Sequence, residues 1–149
     1  MKNTLPHNSL IADTGFWLAL GNYKDKYHHT AKQLLAKLDD FVFIVTWPII
    51  METSHLLHSR VNFKAQQQFL KNIQAGGAEV FYLDKAGHLE EMISLMQKYQ
   101  NLPVDLADAS LVILADELGH GRILSTDQRD FNAYRWKNHQ PFENLLLPN

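Results

Sequence analysis

Two aspartates stand where two predicted strands end, and ligands of parallel sheets usually bind beyond the carboxyl ends of the strands. Asp13 follows the apolar run Ser9–Ala12, and Asp127 follows a run that begins at Arg122. Each aspartate also has an ordinary structural explanation, because its short side chain bonds nearby backbone groups in turns. The choice between chemistry and turn formation depends on whether other carboxylates lie at the same place.

Glu52 is a third candidate because it interrupts an apolar stripe. In the helix predicted over 49–60, its neighbours on the same face are Ile49 and Leu56. A buried carboxylate without a partner is costly unless it is paired, hydrogen-bonded or bound to a metal. Glu52 therefore either reaches water at the edge of the stripe or takes part in a polar site.

Asp108 is the fourth candidate, in a helix predicted over 105–118 that is apolar almost all round. Such a helix is expected to be buried. Asp105 has a structural role as the N-cap, where a carboxylate accepts from free backbone N–H groups. Asp108 lies about one turn further in, so capping explains it less well and chemistry explains it better.

Four carboxylates at one site would repel one another unless cations lay between them. Hard divalent ions such as Mg²⁺ take oxygen ligands from carboxylates, waters and substrate phosphates. Two such ions roughly 3.5–4 Å apart can activate a water and stabilise the leaving oxygen of a phosphodiester. The pattern thus predicts metal-dependent phosphodiester hydrolysis, with these catalytic and metal-binding residues: Asp13, Glu52, Asp108 and Asp127.

The elements that must position these acids alternate along the chain. Strands are predicted over 9–12, 41–45, 79–83 and 122–125, with a last short strand within 142–147. Helices are predicted over 23–38, 49–60, 63–74, 85–100 and 105–118. This alternation indicates βαβ units. We therefore predict an α/β fold, a three-layer α/β/α sandwich with a mainly parallel central sheet, formed by one domain over 1–149.

Composition excludes several other classes of protein. The chain has 149 residues, 46% of them hydrophobic, and no cysteine. This excludes disulfide frameworks, thiolate nucleophiles and zinc sites built on sulfur. No apolar run approaches the roughly 20 residues that cross a bilayer, and Asp13 interrupts the N-terminal apolar run, so we expect no signal peptide, no membrane association and a cytoplasmic protein. The motifs of α/β-hydrolases, P-loop NTPases and Rossmann dehydrogenases are also missing.

The segments around the four acids resemble the PIN domain family, and more narrowly the VapC-type toxin ribonucleases. The segments read IADTGFWLAL, TWPIIMETSHLL, LADASLVILADELG and ILSTDQRDF, and the resemblance extends over about 10–131. It implies a PIN-like fold, an acidic quartet that binds Mg²⁺ or Mn²⁺, and endoribonuclease activity. It also implies that the protein is the toxin of a type II toxin–antitoxin pair, with a small antitoxin as partner, and a homodimer.

The same resemblance assigns supporting positions around the quartet. Thr14 matches the hydroxyl residue that follows the first acid, and Thr126 matches the threonine of the turn before the fourth. Asp130, followed by Phe131, matches the Asp-Phe pair that often ends the family's pattern. Asp105 and Asp130 lie close enough in sequence to be further metal ligands, and this alternative stays open.

The charge balance permits a nucleic-acid substrate without requiring one, since the net charge is −2. Arg129, Arg135 and Lys137, with Tyr134 and Trp136 between them, could contact an RNA backbone and stack a base. Such a cluster is more often a solvated surface. Two other functions fit the scaffold: a non-catalytic module that binds RNA or protein, and a metal-dependent phosphoesterase that acts on DNA or on small phosphate esters.

Overall fold

The computed structural model describes residues 7–102 and 104–148, and in them five strands form the central sheet. Residues 1–6, part of the N-terminal segment in which we expect no signal peptide, lie outside that range. In chain order the strands of the central sheet are β1 (Ser9–Ala12), β2 (Val42–Thr46), β3 (Glu79–Phe81), β4 (Arg122–Leu124) and β7 (Glu143–Asn144). A separate antiparallel pair consists of β5 (Arg135–Trp136) and β6 (Gln140–Pro141).

The helices within the described range alternate with these strands. They are α1 (Thr14–Gly21), α2 (His28–Leu35), α3 (Trp47–Arg60), α4 (Phe63–Asn72), α5 (His88–Lys98), α6 (Leu106–Leu118) and α7 (Gln128–Ala133). A short π-helical turn, Ile73–Gly77, continues α4. None of the helices in this part of the chain combines the length and apolar character needed to cross a bilayer.

The central sheet runs in the order β3-β2-β1-β4-β7, and every neighbouring pair is parallel. All four residues of β1 are buried, as expected for the middle strand of a parallel sheet covered on both faces. Helices complete a three-layer α/β/α sandwich, in which α1, α3 and α4 pack on one another and α5 packs on α6. The predicted fold class is confirmed.

The helix α6 carries much of the core because it is apolar on nearly every side. Its residues from Ala109 to Ala115 are all buried. The hydroxyl of Ser110 is buried too, and it lies 2.7 Å from the Thr46 hydroxyl at the end of β2. This contact ties the start of α6 to the carboxyl end of the sheet, so the acids in the first turn of α6 lie near the ends of the strands.

Several predicted boundaries were wrong, and two helices were missed. The helix predicted from residue 23 begins at His28, because the segment before it forms turns held by Asp25. Both missed helices, α1 and α7, begin directly after an acid, at Asp13 and Asp127. Each of these aspartates caps a helix, whereas the sequence pattern had indicated a turn. The antiparallel pair β5–β6 was also not predicted.

Candidate active site

One open pocket at the carboxyl ends of β1 and β4 gathers all the acids singled out in the sequence. The backbone N–H of Asp13 donates to the carbonyl oxygen of Leu124 at 3.0 Å, so the ends of the two strands are adjacent. The pocket is lined by Asp13, Thr14, Gly15, Leu18, Glu52, Leu56, Arg60, Asp105, Asp108, Thr126, Asp127 and Asp130. The four predicted ligands and the four supporting residues therefore all line the same pocket.

Asp13 is the most firmly held of these acids. It leaves β1 in an extended conformation and caps α1, with Oδ1 accepting from the backbone N–H of Thr14 at 2.8 Å. Its other oxygen, Oδ2, accepts from the hydroxyl of Ser125 at 2.7 Å. The side chain is only 6% exposed, so its position is fixed by these hydrogen bonds within the protein.

Ser125 was not predicted from the sequence, although it links two of the acids. Its hydroxyl donates to Asp13 and accepts from the backbone N–H of Asp127 at 2.9 Å. The signal available in the sequence was a hydroxyl residue two positions before Asp127. Thr126, which the resemblance matches to the threonine of the turn before the fourth acid, lies against Gly15, where a Cβ would come within 1.8 Å of the threonine hydroxyl. Gly15 therefore allows α1 to approach this turn closely.

The acids on the helices α6 and α7 follow the same capping pattern. Asp105 caps α6 by accepting from the backbone N–H of Asp108 at 3.0 Å, which confirms its predicted structural role. Asp127 caps α7 by accepting from the backbone N–H of Asp130 at 3.3 Å. Asp108 has a weak partner, the hydroxyl of Tyr134 at 3.5 Å. Its carboxylate therefore has one long hydrogen bond within the described residues.

Burial and mutual repulsion raise the pKa values of the quartet. Burial raises the pKa of Asp13 to about 6, with smaller contributions from the charges of Glu52 and Asp127 and with the Ser125 hydrogen bond opposing the shift. Burial raises the pKa of Asp108 to about 8, helped by the charges of Asp13, Asp105 and Asp127. Such shifts mark a set of carboxylates that the protein itself does not neutralise.

The pKa values of Glu52 and Asp127 are also raised. For Glu52 the largest cause is burial, followed by the negative charge of Asp105. For Asp127 burial is again first, and the neighbouring Asp130 adds to it. Asp13, Glu52, Asp108 and Asp127 thus all resist ionisation in the protein alone.

Basic side chains compensate little of this charge. In the pocket lining, considered over 7–102 and 104–148, Arg60 is the single basic residue, and it is exposed. Its charge favours ionised Glu52, but it makes no ion pair or hydrogen bond with another described residue. Six carboxylates therefore face one guanidinium group.

The donor set fits a hard divalent cation. Carboxylate and hydroxyl oxygens are the ligands that Mg²⁺ and Mn²⁺ prefer. The hydroxyl of Thr14 is buried at the pocket, lies close enough to Glu52 to favour its charged form, and makes no hydrogen bond of normal geometry with the described residues. As the side chains stand, no three acidic or histidine groups in the described ranges are grouped tightly enough to hold one ion, and Mg²⁺ is commonly held by one or two carboxylates together with waters.

The basic residues predicted to contact RNA lie outside this pocket. Arg129 is exposed on α7 and its charge favours ionised Asp127. Arg135 and Lys137 line a different pocket, between α5, α6 and the β5–β6 pair. Tyr134 is fully buried, so it cannot stack on a base.

Comparisons with known proteins agree with this arrangement. A model of the PIN domain family matches residues 10–137. Ribonuclease VapC26 of Mycobacterium tuberculosis is 29% identical over 126 residues, which cover 85% of this chain and 92% of that protein. The crystal structure of M. tuberculosis VapC20, described as a sarcin-ricin loop cleaving toxin, aligns with a TM-score of 0.73 and 24% identity over 80% of this chain and 91% of that one. The family match includes the carboxyl ends of both β1 and β4, and the chain belongs to the PIN domain family.

Proposed function

We propose that the chain is a Mg²⁺- or Mn²⁺-dependent endoribonuclease, a hydrolase acting on RNA phosphodiesters. The observation that carries the proposal is the single pocket at the carboxyl ends of β1 and β4, where burial and repulsion raise the pKa of each of four acids. Carboxylates gathered in this way destabilise the protein alone and favour a bound cation.

The ligands in this proposal are Asp13, Glu52, Asp108 and Asp127. Thr14 would add its hydroxyl, which has no hydrogen-bond partner among the described residues. Asp105 would support Asp108 by accepting from its backbone N–H, and Asp130 would support Asp127 by donating its backbone N–H to that carboxylate. The chemistry supplied by a bound divalent cation is the activation of water for attack on phosphorus and the stabilisation of the leaving oxygen. The protein's part is to hold the carboxylates so that this chemistry happens at one place.

Arg60 would bind a phosphate of the RNA substrate. A polyanion approaching six carboxylates meets repulsion, and a guanidinium free of other partners can offer two parallel N–H donors to a phosphate. The position of Arg60 in the pocket lining and its lack of an ion pair with another described residue support this role. Arg129, Arg135 and Lys137 would add a weaker, salt-dependent attraction further from the acids.

The names of the relatives support the substrate and the biological setting. VapC26 is called a ribonuclease, and VapC20 is described as a toxin that cleaves the sarcin-ricin loop. By extension we propose that this chain is the toxin of a type II toxin–antitoxin pair, acts in the cytoplasm, and pairs with a small antitoxin and with a second copy of itself.

Cleavage of total cellular RNA tests the proposal. Purified protein freed of any bound partner is incubated with RNA and Mg²⁺, or with RNA and EDTA, and the cleaved ends are mapped. Asp13→Asn is the test variant. Asp116→Asn is the matched control, since Asp116 is a half-buried aspartate outside the pocket whose pKa burial also raises. We expect discrete, metal-dependent cleavage by wild type and the control, and none by Asp13→Asn.

Two other outcomes would replace the proposal. If folded wild type binds metal but leaves RNA intact and cleaves DNA or small phosphate esters, the protein is a phosphoesterase of a different substrate class. If it binds neither Mg²⁺ nor Mn²⁺, a module that binds RNA or protein without catalysis becomes the better account.

A further inference from the structure

We infer that Asn144, on the last strand of the sheet, is a positioning residue that holds Asp13 in place through Ser125. The inference rests on the proposed function, since it explains how one of its metal ligands is oriented. Asn144 does not line the acidic pocket, and it lies beyond the segment that matches the family model, which ends at residue 137.

The carboxamide of Asn144 is used almost completely. Its Oδ1 accepts from the backbone N–H groups of Ser125 at 3.3 Å, Leu146 at 3.1 Å and Leu147 at 3.3 Å. Its Nδ2 donates to the carbonyl oxygen of Ser125 at 2.9 Å. The side chain can both accept from and donate to one residue's backbone because an amide carries an acceptor oxygen and a donor nitrogen. Asn144 thereby extends the pairing of β4 with β7 by one residue, in the manner of a strand.

This pairing fixes Ser125 just past the end of β4. With its N–H and carbonyl both held by Asn144, the Ser125 backbone is buried and cannot rotate freely. Its hydroxyl has one proton to give. Because the backbone N–H of Asp127 must donate to that hydroxyl, the hydroxyl proton is directed to Oδ2 of Asp13. A continuous chain of hydrogen bonds thus runs from the edge of the sheet to the first acid.

This chain of hydrogen bonds holds one of the two carboxylate oxygens of Asp13. One of its oxygens is held locally by the N–H of Thr14, which follows it directly in sequence. The other is held by Ser125, 112 positions away, and through Ser125 by Asn144. Without Asn144 the local bond survives, but the carboxylate can turn about it. We therefore expect a loss of catalysis and metal affinity without a loss of RNA affinity.

Kinetic comparison of Asn144→Ala with wild type tests the inference. Partners that orient metal ligands typically contribute about 10–100-fold to activity or metal affinity. We expect kcat to fall by about tenfold and the Mn²⁺ concentration for half-saturation, measured by calorimetry, to rise by about tenfold, with KM for RNA unchanged. Glu143→Ala is the matched control, because it alters the adjacent exposed residue of the same strand. It should leave all three quantities at the wild-type level.

A double-mutant cycle distinguishes positioning through Ser125 from general loosening of β7. If Asn144 acts through Ser125, Asn144→Ala produces no further fall in kcat once Ser125→Ala is present. Ser125→Thr, which keeps a hydroxyl, should retain more activity than Ser125→Ala. Independent, multiplying effects of Asn144→Ala and Ser125→Ala, or a rise in KM alone, would overturn the inference.

Amide hydrogen exchange keeps the inference testable apart from the proposed function. The N–H of Asp127 donates to the Ser125 hydroxyl, so it should exchange faster in Asn144→Ala than in wild type, without metal or RNA. Unchanged exchange at Asp127 would overturn the inference. Wild-type protein that neither cleaves RNA nor binds Mn²⁺ would instead refute the proposed function, and the exchange result would still decide the role of Asn144.

Discussion

Polar side chains make different contacts at the two ends of the parallel sheet. At the amino ends of β1 and β4, the Ser9 hydroxyl lies 2.8 Å from Nε2 of His120, and Nδ1 of His120 accepts from the N–H of Arg122 at 3.1 Å. Arg122 in turn donates to the carbonyl oxygens of His7 and Ser9 at 2.8 and 3.2 Å. At the carboxyl ends of the same strands, the acids of the pocket face one another instead.

His120 shows that a histidine close to a serine does not by itself form a catalytic pair. A backbone N–H can only donate, so Nδ1 of His120 is an acceptor and the neutral ring carries its proton on Nε2. His120 therefore donates to Ser9 and cannot take its proton. Burial, together with the nearby charge of Arg122, lowers the pKa of His120 to about 4, so the ring is neutral. Both ring nitrogens of His120 are thus hydrogen-bonded within the cluster, whereas Nε of Arg122 is buried without a partner among the described residues.

The acids at the carboxyl end of the sheet are in the opposite situation. Burial and repulsion raise the pKa of Asp108 to about 8, and its one side-chain partner within the described part of the chain is a hydroxyl at 3.5 Å. Polar groups that satisfy one another stabilise a fold, whereas like charges held together against repulsion are typical of functional sites. The comparison locates function at the end of the sheet where the side chains oppose one another.

The strongest way to break this comparison is to remove one acid from the carboxyl end. Asp108→Asn should lower kcat for RNA cleavage by about 100-fold or more, since a lost ligand should cost more than a lost outer partner. Its melting temperature should stay level or rise, because one repelling charge is gone. Asp116→Asn on the same helix and His120→Gln at the amino end should keep wild-type kcat. Wild-type cleavage by Asp108→Asn would contradict the account.

The two ends should also titrate with opposite signs, measured as the free energy of unfolding in urea with EDTA present. Folded Asp13, with its pKa raised from 3.8 to about 6, binds more protons than the unfolded chain, so stability falls as pH rises through that window, by on the order of 3 kcal/mol. Asp108 extends the fall to about pH 8. His120, with its pKa lowered from 6.5 to about 4, makes stability fall as pH drops through that range.

Variants separate these contributions to the pH profile. Between pH 6.5 and 8 the fall in stability should flatten in Asp108→Asn, because His120 is neutral in the folded protein there and at most half protonated in the unfolded chain. Between pH 4 and 6.5 His120→Gln should remove the opposing slope. A metal-free wild type whose stability stays constant from pH 6.5 to 8 would show that Asp108 ionises normally.

Arg60 sharpens the comparison, because among the described residues it is the one basic side chain that lines the acidic pocket. Arg60→Gln should raise KM for RNA by about tenfold with little change in kcat, as expected for a lost charge-assisted contact of about 1.4 kcal/mol. Arg60→Lys should recover only part of the loss, because an ammonium cannot offer two parallel N–H donors. An unchanged KM in Arg60→Gln would remove Arg60 from the substrate site.

The smallest effect is expected at the predicted RNA-contacting residues outside the pocket. Replacing Arg129, Arg135 and Lys137 together with glutamine should raise KM a few-fold at low salt and leave it unchanged at high salt, where surface charges are screened. Lys71→Gln, at an exposed lysine of α4, is the control. Equal KM values for the triple variant and wild type at low salt would exclude this surface from RNA binding.

Much of the fold was predictable because its central elements are apolar segments of the sequence. The strand β1 and the helix α6 are buried as their composition predicts, and the βαβ order predicts the parallel sheet. The helices α1 and α7 were not predictable in the same way. Asp-Thr-Gly and Thr-Asp-Gln fit both a turn and a helix start, and packing on the sheet decides between them.

The candidate site was predictable in its acids and not in what orients them. The sequence points to Asp13, Glu52, Asp108 and Asp127 because each interrupts an apolar context or ends a strand. Ser125 ends a predicted strand as well, but its role could not be predicted because it comes from a contact with an acid 112 positions away and from the pairing of β7 with β4. Long-range pairing of this kind cannot be read from local pattern.

The most direct test of the central claim is a calorimetric titration of the purified chain with Mn²⁺ at pH 8. The account predicts saturable binding by wild type and by His120→Gln, and binding that is weakened at least tenfold in Asp13→Asn. The result that would contradict it is equal Mn²⁺ binding by wild type and Asp13→Asn, or no binding by any of the three proteins.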